Sequence, residues 1–234
     1  MQLFYNSHIK TDDAFFQFDK EESKHIIKVL RKKVGDFIYI TDGKGNLFYS
    51  EISVESEKKC EVKILKIENS EAKKYHLHIA IAPTKMNDRM EWFIEKATEI
   101  GINEITPIIC ERSERKFYKT DRAEKIIQAA LKQSQQFYIP KINEMISFND
   151  FIKKEINAKK FIAHCVEDKK ELFKNSISKS QNILILIGPE GDFSVKEIDL
   201  ALKNNFIAVS LGNTRLRTET AGVVACHSVA FINE

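Results

Sequence analysis

The densest group of side chains able to do chemistry is Arg217-Thr218-Glu219-Thr220, where a guanidinium, a carboxylate and two hydroxyls fall within one short stretch. A guanidinium holds an oxyanion or a phosphate, and a carboxylate takes up a proton, so this stretch suits anion stabilisation and acid–base work. It opens the apolar run Ala221-Gly-Val-Val-Ala-Cys-His-Ser-Val-Ala-Phe-Ile232, which reads as a helix from Arg217 to Ile232. In the plain reading Glu219 complements the helix dipole, Thr218 or Thr220 caps the helix, and Arg217 is a solvated charge. A cation is unfavourable at a helix N-terminus, however, so Arg217 points to a partner outside the helix: a phosphate, a carboxylate or a developing anion.

Two glycine-punctuated segments precede this group. The aliphatic strand Ile183–Ile187 runs directly into Gly188-Pro189-Glu190-Gly191, which places the glycines at the C-terminal end of a buried strand, where open α/β sheets hold their ligands. Ser194 and Glu197 form the S-x-x-E capping box of the helix that follows. The arrangement repeats at Phe206–Ser210, Leu211-Gly212-Asn213 and the helix starting near Arg217. Two such loops predict one small-molecule pocket built from Ile187, Gly188, Pro189, Glu190, Gly191, Ser210, Leu211, Gly212, Leu216, Arg217 and Thr220. The alternative is an ordinary strand–turn–helix connection at each. Neither G-x-x-x-x-G-K-[ST] nor G-x-G-x-x-G occurs, so the ligand is expected to rest on backbone groups and apolar walls rather than in a phosphate cradle.

These segments need elements to hold them. From Asp36 to Glu68 short alternating strands with turn signals at Asp42-Gly43 and Gly45-Asn46 predict a small antiparallel β-barrel, and Asp19–Leu30 reads as a helix capping it. Beyond the charged stretch 68–74 the period changes. Strands at Leu77–Ala82, Ile102–Ile109, Lys160–His164, Ile183–Ile187 and Phe206–Ser210 interleave with helices at Asp88–Ile100, Asp121–Gln136, Ser194–Lys203 and Arg217–Ile232, with Gly101 as a C-cap. The pattern predicts an α/β fold with a mostly parallel sheet covered on both faces, a first domain over 1–72 and a second over 73–234. The terminal helix is apolar nearly all round, which predicts a homodimer, with His227 as an interface or core histidine rather than a base.

A net charge of +3 over 234 residues is too small to argue for a nucleic-acid partner, so any RNA-binding face must be a local patch. The candidates are Arg112, Arg115, Lys116, Lys119, Arg122 and Lys125, interleaved with Phe117 and Tyr118, and His25 with Arg31 and Lys32. The alternative for the first is a solvated face diluted by Glu111, Glu114, Asp121 and Glu124. Cys60, Cys110, Cys165 and Cys226 lie far apart, which predicts reduced, mostly buried thiols and no metal site. The N-terminus lacks a signal-peptide core and no apolar run is long enough to span a bilayer, so a cytoplasmic location is expected.

With these residues in order, the chain resembles the bacterial 16S ribosomal RNA uracil-N3 methyltransferases (RsmE-type) of the SPOUT superfamily. The resemblance rests on Ile187-Gly-Pro-Glu-Gly191 with Phe193, Ser194 and Glu197, and on Leu211-Gly212 with Leu216-Arg217-x-Glu219-Thr-Ala221. Further support comes from Lys96-Ala-Thr-Glu-Ile-Gly101, Gln133-Ser134 before Pro140, and His25 before Val29-Leu30-Arg31. It implies a PUA-like β-barrel followed by a SPOUT α/β domain with a deep trefoil knot, S-adenosyl-L-methionine in the knot loops, and a homodimer acting on 16S ribosomal RNA of the small subunit. In the chemistry so implied uracil N3 attacks the sulfonium methyl. Arg217 would stabilise the anion developing on a uracil oxygen, and Glu219 would serve as general base or orient Arg217. The sequence departs from the family's pattern at Lys132, Gln136, Asp192, Thr214 and Arg215, and Asp192 replaces a common glycine with a residue that also visits left-handed conformations. The rival readings are a SPOUT methyltransferase acting on transfer RNA or 23S ribosomal RNA, and an RNA-binding protein without catalysis.

Overall fold

The structure, a computed structural model, describes residues 2–166 and 170–234. The chain forms two compact units: residues up to Ala72 together with Leu131–Ile139, and Lys73–Ala130 together with Pro140–Glu234.

The first unit is a curled five-stranded sheet. It comprises β1 (Leu3–Tyr5), β2 (Phe15–Gln17), β3 (Phe37–Thr41), β4 (Asn46–Val54) and β5 (Glu61–Asn69), in the order β1-β3-β4-β5-β2. All pairs are antiparallel except β1 with β3. Alternation sends Ile38, Ile40, Phe48, Ile52 and Val62 inward against Phe4, Phe18 and Ile26. Register shifts between β4 and β5 at Tyr49/Ser50 and Ile52/Val54 bend the sheet over this core. Strands β1 and β2 escape sequence reading because three residues each are too few to display a period.

The predicted helix over Asp19–Leu30 exists in altered form. Asp19 caps its start, its carboxylate accepting from the Glu22 N–H at 2.8 Å. The α-helical turn α1 (Lys20–Lys24) then widens into a π-helical turn, His25–Val29, which buries Ile26 completely. Arg31 closes it with φ +54.

The second unit carries a parallel sheet in the order β11-β13-β10-β12-β6-β7-β8, with β9 also on β7. The strands are β6 (Leu77–Ile81), β7 (Glu104–Ile109), β8 (Lys141–Ile142), β9 (Ile146–Ser147), β10 (Lys159–Ala163), β11 (Glu171–Leu172), β12 (Ile183–Ile187) and β13 (Ile207–Ser210). Every residue of β6 and β12 is buried, as expected of central strands covered on both faces. The helices are α2 (Asn87–Ile100), α3 (Asp121–Ser134), the short α4 (Phe148–Phe151) and α5 (Phe173–Ser176), then α6 (Val195–Lys203) and α7 (Thr218–Asn233). The final residues of α3 belong to the first unit.

Local signals position these elements. Gly101 ends α2 at φ +96, its N–H bonding back to the Ala97 carbonyl at 3.0 Å. The capping box of α6 is complete: Glu197 N–H donates to Ser194 Oγ at 3.3 Å and Ser194 N–H to Glu197 Oε2 at 2.9 Å. Helix α7 lies against α2 so closely that a Cβ on Gly222 would come within 2.5 Å of the Phe93 ring. No helix among the described residues is long and apolar enough to cross a membrane.

Candidate functional site

Three strand ends create the site. In register, Ala163 at the end of β10 lies beside Ile187 of β12 on one side and Val209 of β13 on the other. The connection β12–α6–β13 therefore passes over β10, and the two glycine loops emerge on either side of its end. Strand and loop order alone do not reveal this adjacency, because it depends on β13 pairing with β10 rather than with β12.

The first loop is shaped by small groups and short bonds. A Cβ on Gly188 would meet the Phe193 ring at 3.0 Å and the Phe193 backbone nitrogen at 3.2 Å. Asp192 takes φ +63, the left-handed conformation foreseen for a residue standing where glycine is common. Its carboxylate accepts from Phe193 N–H and from Cys165 N–H, both at 2.8 Å, which ties this loop to the end of β10. Glu190 accepts from the Lys85 N–H at 2.9 Å. In the second loop Gly212 has φ +151, where a side chain would be strained, and Ser210 Oγ donates to its carbonyl at 2.7 Å.

Two neighbouring cavities lie between the loops. One, about 330 Å³, is lined by Ala163, His164, Lys170 and the segment from Val209 to Leu216. The other, about 270 Å³, is lined by Ile187, Gly188, Pro189, Glu190, Asp192 and the segment from Arg215 to Thr218. They share Ala163, Cys165, Arg215, Leu216 and Ala221. A third cavity of about 710 Å³, lined by Asp88, Arg89, Trp92, Glu219 and Thr220, has Arg215, Leu216 and Arg217 as walls in common with the second.

The predicted site residues thus separate. Ser210, Leu211 and Gly212 line the first cavity and Ile187, Gly188, Pro189 and Glu190 the second, while Leu216 borders all three. Arg217 borders the second and third; Glu219 and Thr220 line the third. Gly191 faces Arg112 instead, whose guanidinium donates to the Gly191 carbonyl at 3.0 Å. Arg217 is the N-cap of α7, exposed and without a side-chain capping bond. Thr218 does not cap the helix: its hydroxyl donates to the Gly188 carbonyl at 3.0 Å and joins the first loop to α7. Glu219 is buried with Oε1 3.9 Å from Arg89 Nε, and its Oε2 has no hydrogen-bond partner among the described residues.

Sequence reading missed Ala163, His164, Cys165 and Lys170, since the end of β10 carries no glycine to mark it. It also missed Asp88, Arg89 and Trp92, which α2 brings to the third cavity. Of the basic candidates in this unit, Arg112 and Arg115 have partners within the protein. Arg115 bonds the Asn87 side chain, and the Lys85 carbonyl at 3.0 Å. Arg122 pairs with Glu91 at 2.5 Å, whereas Lys116 and Phe117 are exposed. In the first unit His25 is half-exposed and 3.0 Å from Glu22, Arg31 is exposed, and Lys132 lies 3.8 Å from Glu22. Cys60, Cys110 and Cys226 are buried and Cys165 exposed; among the described residues no His, Cys, Asp and Glu cluster is able to hold a metal ion.

A parallel α/β unit with a polar cavity at adjoining strand ends, in one chain with a curled β-sheet, defines a two-module protein whose second unit carries the candidate site. Comparison with known proteins narrows the class. The family model for the RNA methyltransferase domain matches residues 70–230, and that for the RNA methyltransferase PUA domain matches residues 18–65. The ribosomal RNA small subunit methyltransferase E of Mesomycoplasma hyopneumoniae is 34% identical over 225 residues, covering 89% of this chain and 95% of the relative. A probable rRNA-methyltransferase from Porphyromonas gingivalis has a similar structure, with TM-score 0.92, 39% identity and coverage of 100% and 98% of the two chains. The Neisseria gonorrhoeae ribosomal RNA small subunit methyltransferase E, solved bound to S-adenosyl methionine, aligns with TM-score 0.88 and 25% identity over 100% and 98% of the chains. The chain belongs to the RNA methyltransferase family that includes ribosomal RNA small subunit methyltransferase E.

Proposed function

We propose that this protein transfers a methyl group from S-adenosyl-L-methionine to N3 of a uridine in 16S ribosomal RNA of the small subunit. The observation that carries the reading is the junction at Leu216 and Arg217, where the cavities between the glycine loops meet a separate cavity holding Glu219 and Arg89. The paired cavities suit a nucleoside-like cofactor: their walls mix apolar groups such as Ala163, Ile187 and Leu216 with polar and charged side chains, Gly212 leaves the main chain open, and no phosphate-binding turn is present. Ile187–Glu190 and Ser210–Gly212 would hold it, with Leu216 as an apolar wall.

S-adenosylmethionine, when bound, supplies an electrophilic sulfonium methyl; N3 gains the methyl, the S–CH3 bond breaks, and the N3 proton leaves. Arg217 stands beside the cofactor cavities without an intramolecular capping bond, free to hold the negative charge that builds on a uracil oxygen. Glu219, buried with one oxygen lacking a partner, takes the proton or orients a guanidinium. In this reading residues 1–72 form the PUA-like RNA-binding module and 73–234 the catalytic and dimerising module, knotted as the resemblance implies. His25, Arg31 and Lys32 on the first and Lys116 with its arginine neighbours on the second contact RNA. The slight net charge of +3 favours an assembled small subunit over naked RNA as substrate, in the cytoplasm.

N3 methylation blocks Watson–Crick pairing, so reverse transcription of 16S ribosomal RNA should stop at one site in the wild type and read through in a strain lacking the gene. An unchanged pattern refutes this target. Undetectable S-adenosylmethionine binding by calorimetry refutes the enzymatic reading altogether.

A further inference from the structure

The third cavity shares Arg215, Leu216 and Arg217 with the cavity beside the Gly188 loop. Its contents are specific. Trp92, the sole tryptophan of the chain, is 43% exposed and lines it. Glu219 also lines it, with a side chain only 8% exposed and Oε2 without a hydrogen-bond partner among the described residues. A buried carboxylate oxygen without a donor is costly, which marks it as the place where a ligand's N–H belongs. Arg89 stands 3.9 Å from the other oxygen of that carboxylate, and Arg217 borders the same space. The cavity thus offers two guanidinium donors and the acceptor Glu219, with Asp88 also in its wall.

We propose that this cavity is the pocket for the target base, with Trp92 as the stacking wall and Arg89, Glu219 and Arg217 as the edge that selects uracil. The proposal rests on the function proposed above. The Watson–Crick edge of uracil presents the acceptors O2 and O4 and the donor N3–H, which two guanidinium groups and a carboxylate can meet. Cytosine presents an unprotonated N3 at the centre, which the Glu219 carboxylate repels. An aromatic face exposed beside such an edge is how unstacked RNA bases are held. Trp92 and Arg89 are positioned by α2, three residues apart and so on neighbouring turns of one helix face. Trp92 thus joins Arg217 and Glu219 as a specificity-determining residue.

Because the chain has one tryptophan, its fluorescence reports the pocket directly. The intact protein, saturated with S-adenosylhomocysteine, is titrated with oligouridylate and with oligocytidylate of equal length. The expected result is quenching of Trp92 emission by oligouridylate at a concentration about tenfold or more below that needed for oligocytidylate. In Glu219→Gln, whose amide offers both a donor and an acceptor, the two oligomers should quench within about twofold of each other. Equal quenching of the wild type by both oligomers, or none by either, overturns the proposal. So does a change in emission with protein concentration alone, which assigns the cavity to a contact between copies of the chain. Selective quenching together with an unchanged reverse-transcription pattern would leave the pocket standing and remove the 16S target. Unselective quenching with an intact stop would remove the pocket alone.

Discussion

At the scale of the residue, the candidate site holds two charges of opposite sign on one helical turn. Arg217 remains solvent-exposed at the N-cap of α7, while Glu219 two residues later is buried beside Arg89. Their types and spacing were legible in the sequence, but their different environments were not, since burial of Glu219 depends on α2 lying alongside. If Arg217 stabilises the developing oxyanion, Arg217→Ala should lower the single-turnover methylation rate on undermethylated small subunits by about 10²–10³-fold. Calorimetry should find cofactor affinity changed far less, because the glycine loops remain. Unimpaired turnover would remove Arg217 from the chemistry. In the plain reading Thr218 or Thr220 caps the helix, but the Thr218 hydroxyl instead joins α7 to the Gly188 carbonyl, a long-range contact that local spacing does not encode.

At the scale of the element, helix ends were the most readable features. The S-x-x-E box and Gly101 act through bonds within a few residues, so their outcome does not wait for tertiary packing. Close packing of α7 on α2 is different. Gly222 in mid-helix looks like a weak point for α7, yet a Cβ there would press on Phe93 at 2.5 Å and Ile81 at 3.1 Å. Gly222→Ala should gain about 1 kcal/mol of helix propensity and lose about 1–3 kcal/mol to overpacking. The expected result is a lower midpoint of denaturant unfolding. A raised midpoint would show that the helices have room to separate. The outer face of α7 leaves Phe231 67% exposed, with His227 also exposed and its ring 5.9 Å away. If this face joins two copies, Phe231→Glu should yield the monomer mass in light scattering with an unchanged circular dichroism spectrum. A variant that keeps the wild-type mass would place any dimer contact elsewhere.

At the scale of the whole molecule, the sheet carries a buried titratable group that lines none of the three cavities. His78 on β6 is buried, its Nε2 2.7 Å from Thr106 Oγ1 and its Nδ1 3.9 Å from Glu104. Burial pushes its pKa down from 6.5 to about 4, against the opposing pull of Glu104 and with help from His76, Lys141 and Lys154. Since the folded pKa is depressed, the unfolded chain takes up this proton first. Stability should therefore fall as pH drops from about 6.5 towards 4, by roughly 3 kcal/mol in all. Glu104, held below the usual carboxylate range despite burial by the Asn143 hydrogen bond and neighbouring cations, adds its own loss at lower pH. Chemical denaturation across that window checks this, and His78→Asn should flatten the slope; an unchanged slope would assign it to other groups.

Sequence alone determined the longer strands, the capped helices, the α/β class of the second unit and the two glycine loops, because hydrophobic period and turn chemistry act over a few residues. Only the tertiary structure decided that β13 pairs with β10, that the loops consequently face one another across Ala163, and that α2 brings Arg89 and Trp92 to Glu219. Those outcomes follow from which strand lies beside which, a choice made by burial of whole elements against each other and not by any residue's neighbours in the chain.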